Sequence, residues 1–545
     1  MVVSRIKYSI IPILFHVITS CNNHNNTFLG AVTSATPEAS TAGEEIFLKD
    51  GNAIDVAIAI SFALAVTEPA MSGLGGGTQV LLSLKNQQPI AINGTTLSPY
   101  KTPISIKDTL TYHRRSTIPS TVKVLDYLWK NYGSGNVSWE DLLKPSIELA
   151  ENGFVLGEYR AKVYHEYGEK LKSSQFSVSS FLIDNRIPQK GDTIKQPELA
   201  KTLKRLAEFR AEDFYNGEIA KKIALDMQEH GGWITIDDLN NFPAPKELKP
   251  LSVEHRGMMV YSQPPPCGGW ITLLALNLME KLNKDAVLTN EEVIKALYIA
   301  HNERNKKPVN NLTTYDSILK NKLSKSYSKK LLLNEQSPSE TIVNKKIGET
   351  THFSVVDSEG NSIAVTSSIN AYFGALAASK DLGFLYNTYM DDFIFEDPDH
   401  PFAIRPNAMA YSSMSPSIVQ ENGKTVLVLG SPGSSRIISA VSQITAKWIE
   451  GRDIQHAVTQ PRIHVSNNTV YHENKEDTLS LSKEFLTEFD LLLKTPSESL
   501  MLQEKLNAYY GGVHAIAKEN GNWIGIADPR RDGKSIIVKK SNSNE

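Results

Sequence analysis

The chain has little of several things, and each shortage excludes a class. Its 545 residues contain two cysteines, Cys21 and Cys267, so neither a disulfide framework nor a cysteine-rich zinc site is available. The 13 histidines form no H-E-x-x-H arrangement, and no histidine pair at i, i+4 encloses a carboxylate, so no metal is expected. Basic charge is not in excess: 57 Lys and Arg stand against 60 Asp and Glu, which argues against nucleic acid as a partner. No apolar run beyond the N-terminus is long enough to span a bilayer; the longest, Ala53 to Val66, is interrupted by Asp55 and reads as a buried helix. The glycine run Gly73-Leu74-Gly75-Gly76-Gly77 comes after a helical pattern (Ala39 to Leu64) and before a strand-like one (Gln79 to Leu84). A phosphate-binding loop needs the opposite order, and the Gly-Lys-Ser/Thr of a nucleotide loop is missing, so no cofactor is expected. These glycines read as places where backbones pack closely beside a site.

The N-terminus resembles an export signal. Arg5 and Lys7 are its positive region, Ile10 to Ile18 its apolar stretch, and Ile18-Thr19-Ser20-Cys21 a small-residue cleavage site ending in Cys. Two readings stay open: a lipoprotein signal with Cys21 acylated and Asn22 to Thr27 as tether, or an ordinary secretory signal. Both place the protein outside the cytoplasm, in the periplasm or at the cell surface. Cys267 then reads as a lone thiol packed as a small apolar residue.

Further along, residues 120 to 235 carry helical spacing, with Trp129, Leu142, Leu149 and Phe154 as core positions. Pro264-Pro265-Pro266-Cys267-Gly268-Gly269 is a rigid turn before an apolar helix ending near Leu282. Residues 303 to 349, rich in Lys, Asn and Ser, read as an exposed connector. His352 to Val356 and Ser362 to Thr366 alternate around Asp357-Ser358-Glu359-Gly360-Asn361, a hairpin signal. The strand Thr425 to Leu429 runs through Gly430-Ser431-Pro432-Gly433-Ser434-Ser435 into a helix with Ile437, Ile438, Val441, Ile444 and Trp448 on its apolar positions. A Gly/Ser turn at a helix N-terminus offers N–H groups to a developing oxyanion. Mixed strand and helix blocks predict sheets covered by helices.

The string Thr350-Thr351-His352-Phe353-Ser354-Val355-Val356-Asp357, with Gly360-Asn361, resembles the γ-glutamyltransferase (γ-glutamyltranspeptidase) family. The likeness continues in order through Ser368-Ile369-Asn370, Phe373-Gly374, Met390-Asp391-Asp392-Phe393, Ser412-Ser413-Met414-Ser415-Pro416 and Gly430-Ser431-Pro432-Gly433. Gly51-Asn52-Ala53 with Asp55, the Gly73–Gly77 run, Pro264–Gly269 and Asp528-Pro529-Arg530 also match. The resemblance implies an α+β fold, the N-terminal-nucleophile (Ntn) hydrolase four-layer αββα sandwich. It would be built from a large chain (22–349, after a signal at 1–21) and a small chain (350–545) that self-cleavage between Glu349 and Thr350 separates. It implies Thr350 as nucleophile and, through its new α-amine, as base. Ser368 would hydrogen bond the nucleophile, Gly433 and Ser434 N–H groups would form the oxyanion hole, Asn370 and Asp392 would hold a glutamyl α-amine, and Ser412 and Ser413 its α-carboxylate. A threonine hydroxyl is a poor nucleophile, whereas an α-amine titrating near pH 8 is a serviceable base for it. The implied partners are a γ-glutamyl amide such as glutathione and a water or amine acceptor.

The sequence departs from that family in three places. The usual Asp-x-Arg-Glu-x-x-Pro segment reads Asn93-Gly94-Thr95-Thr96-Leu97-Ser98-Pro99, so the arginine that pairs with the α-carboxylate is Thr95. Lys101 or Arg114–Arg115 would replace it only with a different loop path. The usual second glycine after Ser-Pro is Ser434, which tolerates positive φ less well. The stretch Asp392 to Ser412 is too short for the lid loop of well-known bacterial members. These departures keep two alternatives in view: an acylase of the same fold with glutaryl or poly-γ-glutamyl specificity, and a non-catalytic surface lipoprotein that binds peptides or amino acids.

Overall fold

A computed structural model describes residues 27–106, 108–176, 178–283, 287–310, 314–334, 348–451, 453–473, 481–488, 491–494, 501–503 and 506–540. The N-terminal stretch read as a signal, with Cys21, lies outside the described residues. Two sheets stack face to face. The first has seven strands, in the spatial order Lys534–Lys540, Thr27–Ser34, Gly348–Asp357, Ser362–Ala371, Gly77–Ser83, Ile90–Gly94 and Lys246–Leu248. The second has six: Asn522–Ala527, His514–Glu519, Lys424–Gly430, Ser417–Glu421, Met258–Ser262 and Leu251–His255. Between them Ala31, Leu81, Ala91, Val356 and Ala364 meet Ile418, Val428 and Ile516. Larger apolar clusters fill the outer faces, where helices cover each sheet. This is the expected αββα layering.

The outer helices start where the sequence caps them. Asn52 accepts from the Ile54 and Asp55 N–H groups, and Asp55 reciprocates to the Asn52 N–H, which opens the helix Ala53–Thr67. All fifteen of its positions are buried, because it lies between the first sheet and the helices Pro37–Leu48 and Trp139–Asn152. A helix covered on every side reads as a continuous apolar run rather than an amphipathic stripe. The single helical stretch read over Ala39 to Leu64 is therefore two helices, broken at Asp50–Asn52, where Asp50 turns to φ 59°.

The connector reading of 303 to 349 is corrected in its first half. The helix Asn290–Lys306 runs into it, and Tyr315–Lys322 and Lys325–Leu333 follow. Tyr315, Leu319 and Leu331 join the second core. Their apolar positions are few and widely spaced, which is why the Lys/Asn/Ser composition masked them. Residues 335–347 lie outside the described residues. The hairpin is as read: strands Gly348–Asp357 and Ser362–Ala371, with Asp357 accepting from the Asn361 N–H at 2.9 Å across the turn. The Asp357 carboxylate also takes the Ala53 N–H at 3.1 Å, which ties the helix cap to the hairpin turn and gives those two motifs one structural purpose.

Candidate active site

Strand Gly348–Asp357 carries the Glu349–Thr350 peptide bond near its start, and all ten of its residues are buried. Its pairing with Ser362–Ala371 slips between Ser367 and Asn370, directly beside that bond. Such a bulge re-aims side chains that a regular ladder would point away. Asn370 completes it in the left-handed region at φ 74°, a conformation that Asn tolerates better than most residues. Ser368 then donates its hydroxyl to the Glu349 carbonyl at 2.5 Å and accepts the Asn370 N–H at 2.7 Å. Gly76 lets the neighbouring backbone close over this point; a Cβ there would sit 2.3 Å from the Ser368 carbonyl oxygen. The glycine run packs backbone beside a site, as its order in the sequence implied.

A cleft of about 150 Å³ opens over this strand. Thr350, Ser368, Asn370, Asp392, Ser412, Ser413 and Ser434 all line it. They come from the strands Gly348–Asp357 and Ser362–Ala371, the 3-10 turn Tyr389–Asp392, the Ser412–Ser413 loop and the turn at Ser434. Asp391, the neighbour of Asp392, is held by Arg115 at 2.6 Å, which fixes the 3-10 turn Tyr389–Asp392. The Ser412–Met414 segment lies on the Pro264–Gly269 turn: Ser412 N–H donates to Pro266, and Gly268 N–H to Met414. A Cβ at Gly268 would meet the Ser413 carbonyl oxygen at 2.8 Å. Cys267, in that turn, is a free, buried thiol pushed up to about 12 by burial, so it is a packing residue.

Gly433 and Ser434 form the turn between strand Lys424–Gly430 and helix Arg436–Gly451. Both have positive φ, 120° and 54°. Ser434 therefore adopts the left-handed conformation that a glycine would take freely, at a cost of about 1–2 kcal/mol. Neither of their N–H groups donates to a partner among the described residues. Gly433 stands just behind the lining, while the Ser434 side chain lies close to Gly348, one residue before Glu349.

The Glu349 side chain points away from the cleft into a cationic socket. Arg436 donates to one carboxylate oxygen at 3.0 Å and Arg531 to the other at 2.7 Å, all three buried. Arg531 is placed by the Asp528-Pro529-Arg530 motif. Arg530 is bound to Glu473 at 2.6 Å and to Asp528 at 3.1 Å, and Arg462 closes on Asp528 at 2.5 Å. Burial would raise the Asp528 carboxyl, but Arg462 and Arg530 hold it down at about 2.

Several lining residues escaped the sequence reading. His301, Arg304 and Asn305 enter from one face of helix Asn290–Lys306, and Tyr389 and Tyr411 from the loops. Burial keeps His301 neutral, pushed down to about 3, and raises Tyr411 to about 12. A polar set at i, i+3 and i+4 on one helix face is the signal that marks such residues. Thr95 does not reach the cleft. It lines a separate cavity and is bound to Asn93 and Gln79. Neither Lys101 nor Arg114 nor Arg115 lines the cleft: Lys101 is exposed, Arg114 caps the Gly231 carbonyl and Arg115 is spent on Asp391. No residue of 393–410 lines it either; that segment folds back on itself through Ile394 and Ala403 and bonds to Ser98. Among the described residues one group, His113, Asp226 and His230, offers three metal-type ligand atoms within 4.8 Å. It lies outside the cleft, where both histidines hydrogen bond Asp226.

The chain matches the gamma-glutamyltranspeptidase family over residues 39–538. It is 33% identical to a glutathione hydrolase proenzyme of Escherichia coli (strain K12), covering 92% of this chain and 90% of that one. It is 31% identical to a glutathione hydrolase proenzyme of Bacillus subtilis (strain 168), covering 93% and 91%. In fold it is similar to a cephalosporin acylase from Bacillus halodurans, with a TM-score of 0.82 at 24% identity over 94% of this chain and 96% of that one. A Helicobacter pylori gamma-glutamyltranspeptidase chain superposes with a TM-score of 0.52 at 29% identity, covering 56% and 92%. Family match, whole-length relatives and layered fold agree, and the chain belongs to the gamma-glutamyltranspeptidase family.

Proposed function

We propose that this protein is a self-processing γ-glutamyltransferase and glutathione hydrolase that works through an acyl-Thr350 ester. The observation that supports this most directly is the position of the Glu349–Thr350 bond inside the cleft, with Ser368 donating to its carbonyl. In the precursor the Thr350 hydroxyl attacks the Glu349 carbonyl. The C–N bond breaks, an ester forms, and the hydroxyl proton ends on the new α-amine. Water then hydrolyses the ester, leaving a large chain ending at Glu349 and a small chain beginning at Thr350. In turnover that amine takes the hydroxyl proton as Thr350 attacks a γ-glutamyl amide. The Gly433 and Ser434 N–H groups receive the oxyanion. Asn370 and Asp392 take the substrate α-amine, and Ser412 and Ser413 its α-carboxylate. Water or an amine then accepts the acyl group.

The test is intact mass under denaturing conditions. We expect two species, the smaller of 196 residues, 545 − 349, and one uncut chain for Thr350→Ala. A wild-type chain that stays whole after prolonged incubation overturns the reading. The N-terminal pattern supports a place outside the cytoplasm with Cys21 as a lipid anchor; metabolic labelling with a radioactive fatty acid checks this, and label surviving Cys21→Ser refutes it. A second reading, an acylase taking glutaryl groups, is favoured by Thr95 in place of arginine and by the absence of lid residues from the cleft lining. Faster turnover of glutaryl than of γ-glutamyl anilides would select it.

A further inference from the structure

Six arginines are buried among the described residues: Arg160, Arg304, Arg436, Arg462, Arg530 and Arg531. Five of them have a carboxylate at 3.1 Å or less. Arg304 is the exception: among the described residues it has no carboxylate within ion-pair distance, and it lines the cleft. Its NH1 donates to the Ser413 hydroxyl at 2.9 Å and its NH2 to the Ser412 carbonyl at 2.8 Å. Its guanidinium lies on the Tyr411 ring, 4.0 Å from the centroid.

These contacts are neutral. They orient a guanidinium but do not balance a buried full charge, which is costly unless an anion completes it. Burial accordingly lowers the Arg304 pKa, opposed by the fields of Tyr411 and Asp392. Two of five N–H donors are used on Ser412 and Ser413. The charge sits next to the two serines, in the cleft that Asp392 also lines. A cleft that holds a nucleophile, a guanidinium with no ion-pair partner among the described residues and a carboxylate fits an α-amino acid head.

We infer that Arg304 is the carboxylate-binding residue of the donor site, supplying from helix Asn290–Lys306 the charge that Thr95 does not. The inference rests on the γ-glutamyl reading. The donor's free carboxylate sits on the guanidinium with Ser412 and Ser413, and its ammonium faces Asp392. The substrate class is then an amide of a dicarboxylic acid bearing an α-amine at the far end. Removing either head group weakens the donor.

The test uses the processed wild-type enzyme with three p-nitroanilides: γ-L-glutamyl, glutaryl, which lacks the amine, and 4-aminobutyryl, which lacks the carboxylate. Wild type is expected to prefer γ-glutamyl over 4-aminobutyryl by about 10- to 100-fold in kcat/KM, the range for a charge-assisted pair. Arg304→Gln is expected to collapse that ratio toward one, mainly through KM, and Arg304→Lys to keep part of it, because an ammonium retains the charge without the fork. Equal wild-type kcat/KM for γ-glutamyl and 4-aminobutyryl overturns the inference without any variant. So does an unchanged ratio in Arg304→Gln or Arg304→Lys purified as two chains. A wild type that cleaves none of the three anilides overturns instead the γ-glutamyl reading beneath it.

Discussion

Replacing Ser368 by Ala tests whether the precursor geometry drives the first chemical step. The Ser368 hydroxyl is the described donor to the scissile carbonyl, at 2.5 Å. In the ground state that bond is neutral and contributes about 0.5–1.5 kcal/mol, whereas once charge gathers on the carbonyl oxygen it becomes charge-assisted, about 1.5–3 kcal/mol. Only the difference, about 1–2 kcal/mol, accelerates the step. At about 1.4 kcal/mol per decade this is roughly a 5- to 30-fold slowing of self-cleavage. The Asn370 N–H that loses its acceptor is orphaned in ground and transition states alike, so it lowers stability without adding to the rate effect. The assay follows the 196-residue chain by mass against time after rapid purification, with circular dichroism to show that the variant is folded. Ser368→Thr keeps the hydroxyl and is expected to cleave within about 3-fold of wild type, given that only the added methyl must fit. A folded Ser368→Ala precursor with the wild-type half-life would falsify the role assigned to this hydrogen bond.

Three other outcomes follow from the same geometry. Glu349→Ala leaves Arg436 and Arg531 facing each other without an acceptor and should lower precursor stability by about 3–5 kcal/mol in urea unfolding; an unchanged midpoint refutes the socket. Gly76→Ala places a Cβ 2.3 Å from the Ser368 carbonyl oxygen and should abolish cleavage or cost about 1–3 kcal/mol of stability, whereas a fully active variant shows that the backbone contact is dispensable. Acid should destabilise the fold between pH 7 and 5. His301 and His514, each pushed down to about 3 by burial, bind fewer protons folded than unfolded, so their stability is present above pH 6.5 and falls below it, by about 2 kcal/mol each at pH 5. Glu68, raised to about 7 by burial, acts in the opposite sense and returns about 2 kcal/mol over the same window. Burial also lowers His255, His352 and His464, which add to the loss. The net loss is read from thermal or urea unfolding at the two pH values, and it deepens in Glu68→Gln, whereas a gain in wild-type stability on acidification contradicts it.

The sequence alone determined several local elements and the order of the motifs, though not the break at Asp50–Asn52 or the helices after 303. Capping at Asn52, the alternation of the hairpin around Asp357–Asn361 and the strand–turn–helix at 424–451 follow from neighbours in the chain, and local patterns report local physics. The ordered motifs also named Thr350, Ser368, Asn370, Asp392, Ser412, Ser413 and Ser434, and the structure brings these seven into one cleft. The sequence likewise marked the loss of an arginine at Thr95. It had no means of showing what stands in its place. Arg304 lies in a stretch whose composition reads as connector, and its importance comes from what surrounds it: two serines more than a hundred residues away and, among the described residues, no carboxylate within ion-pair distance. The socket for Glu349 is similar, since Arg436 and Arg531 are 87 and 182 residues distant along the chain. Charge balance in a buried site is a sum over groups that only the packing of two sheets and their helices brings together, so tertiary structure alone decided which arginines are neutralised and which one faces the cleft.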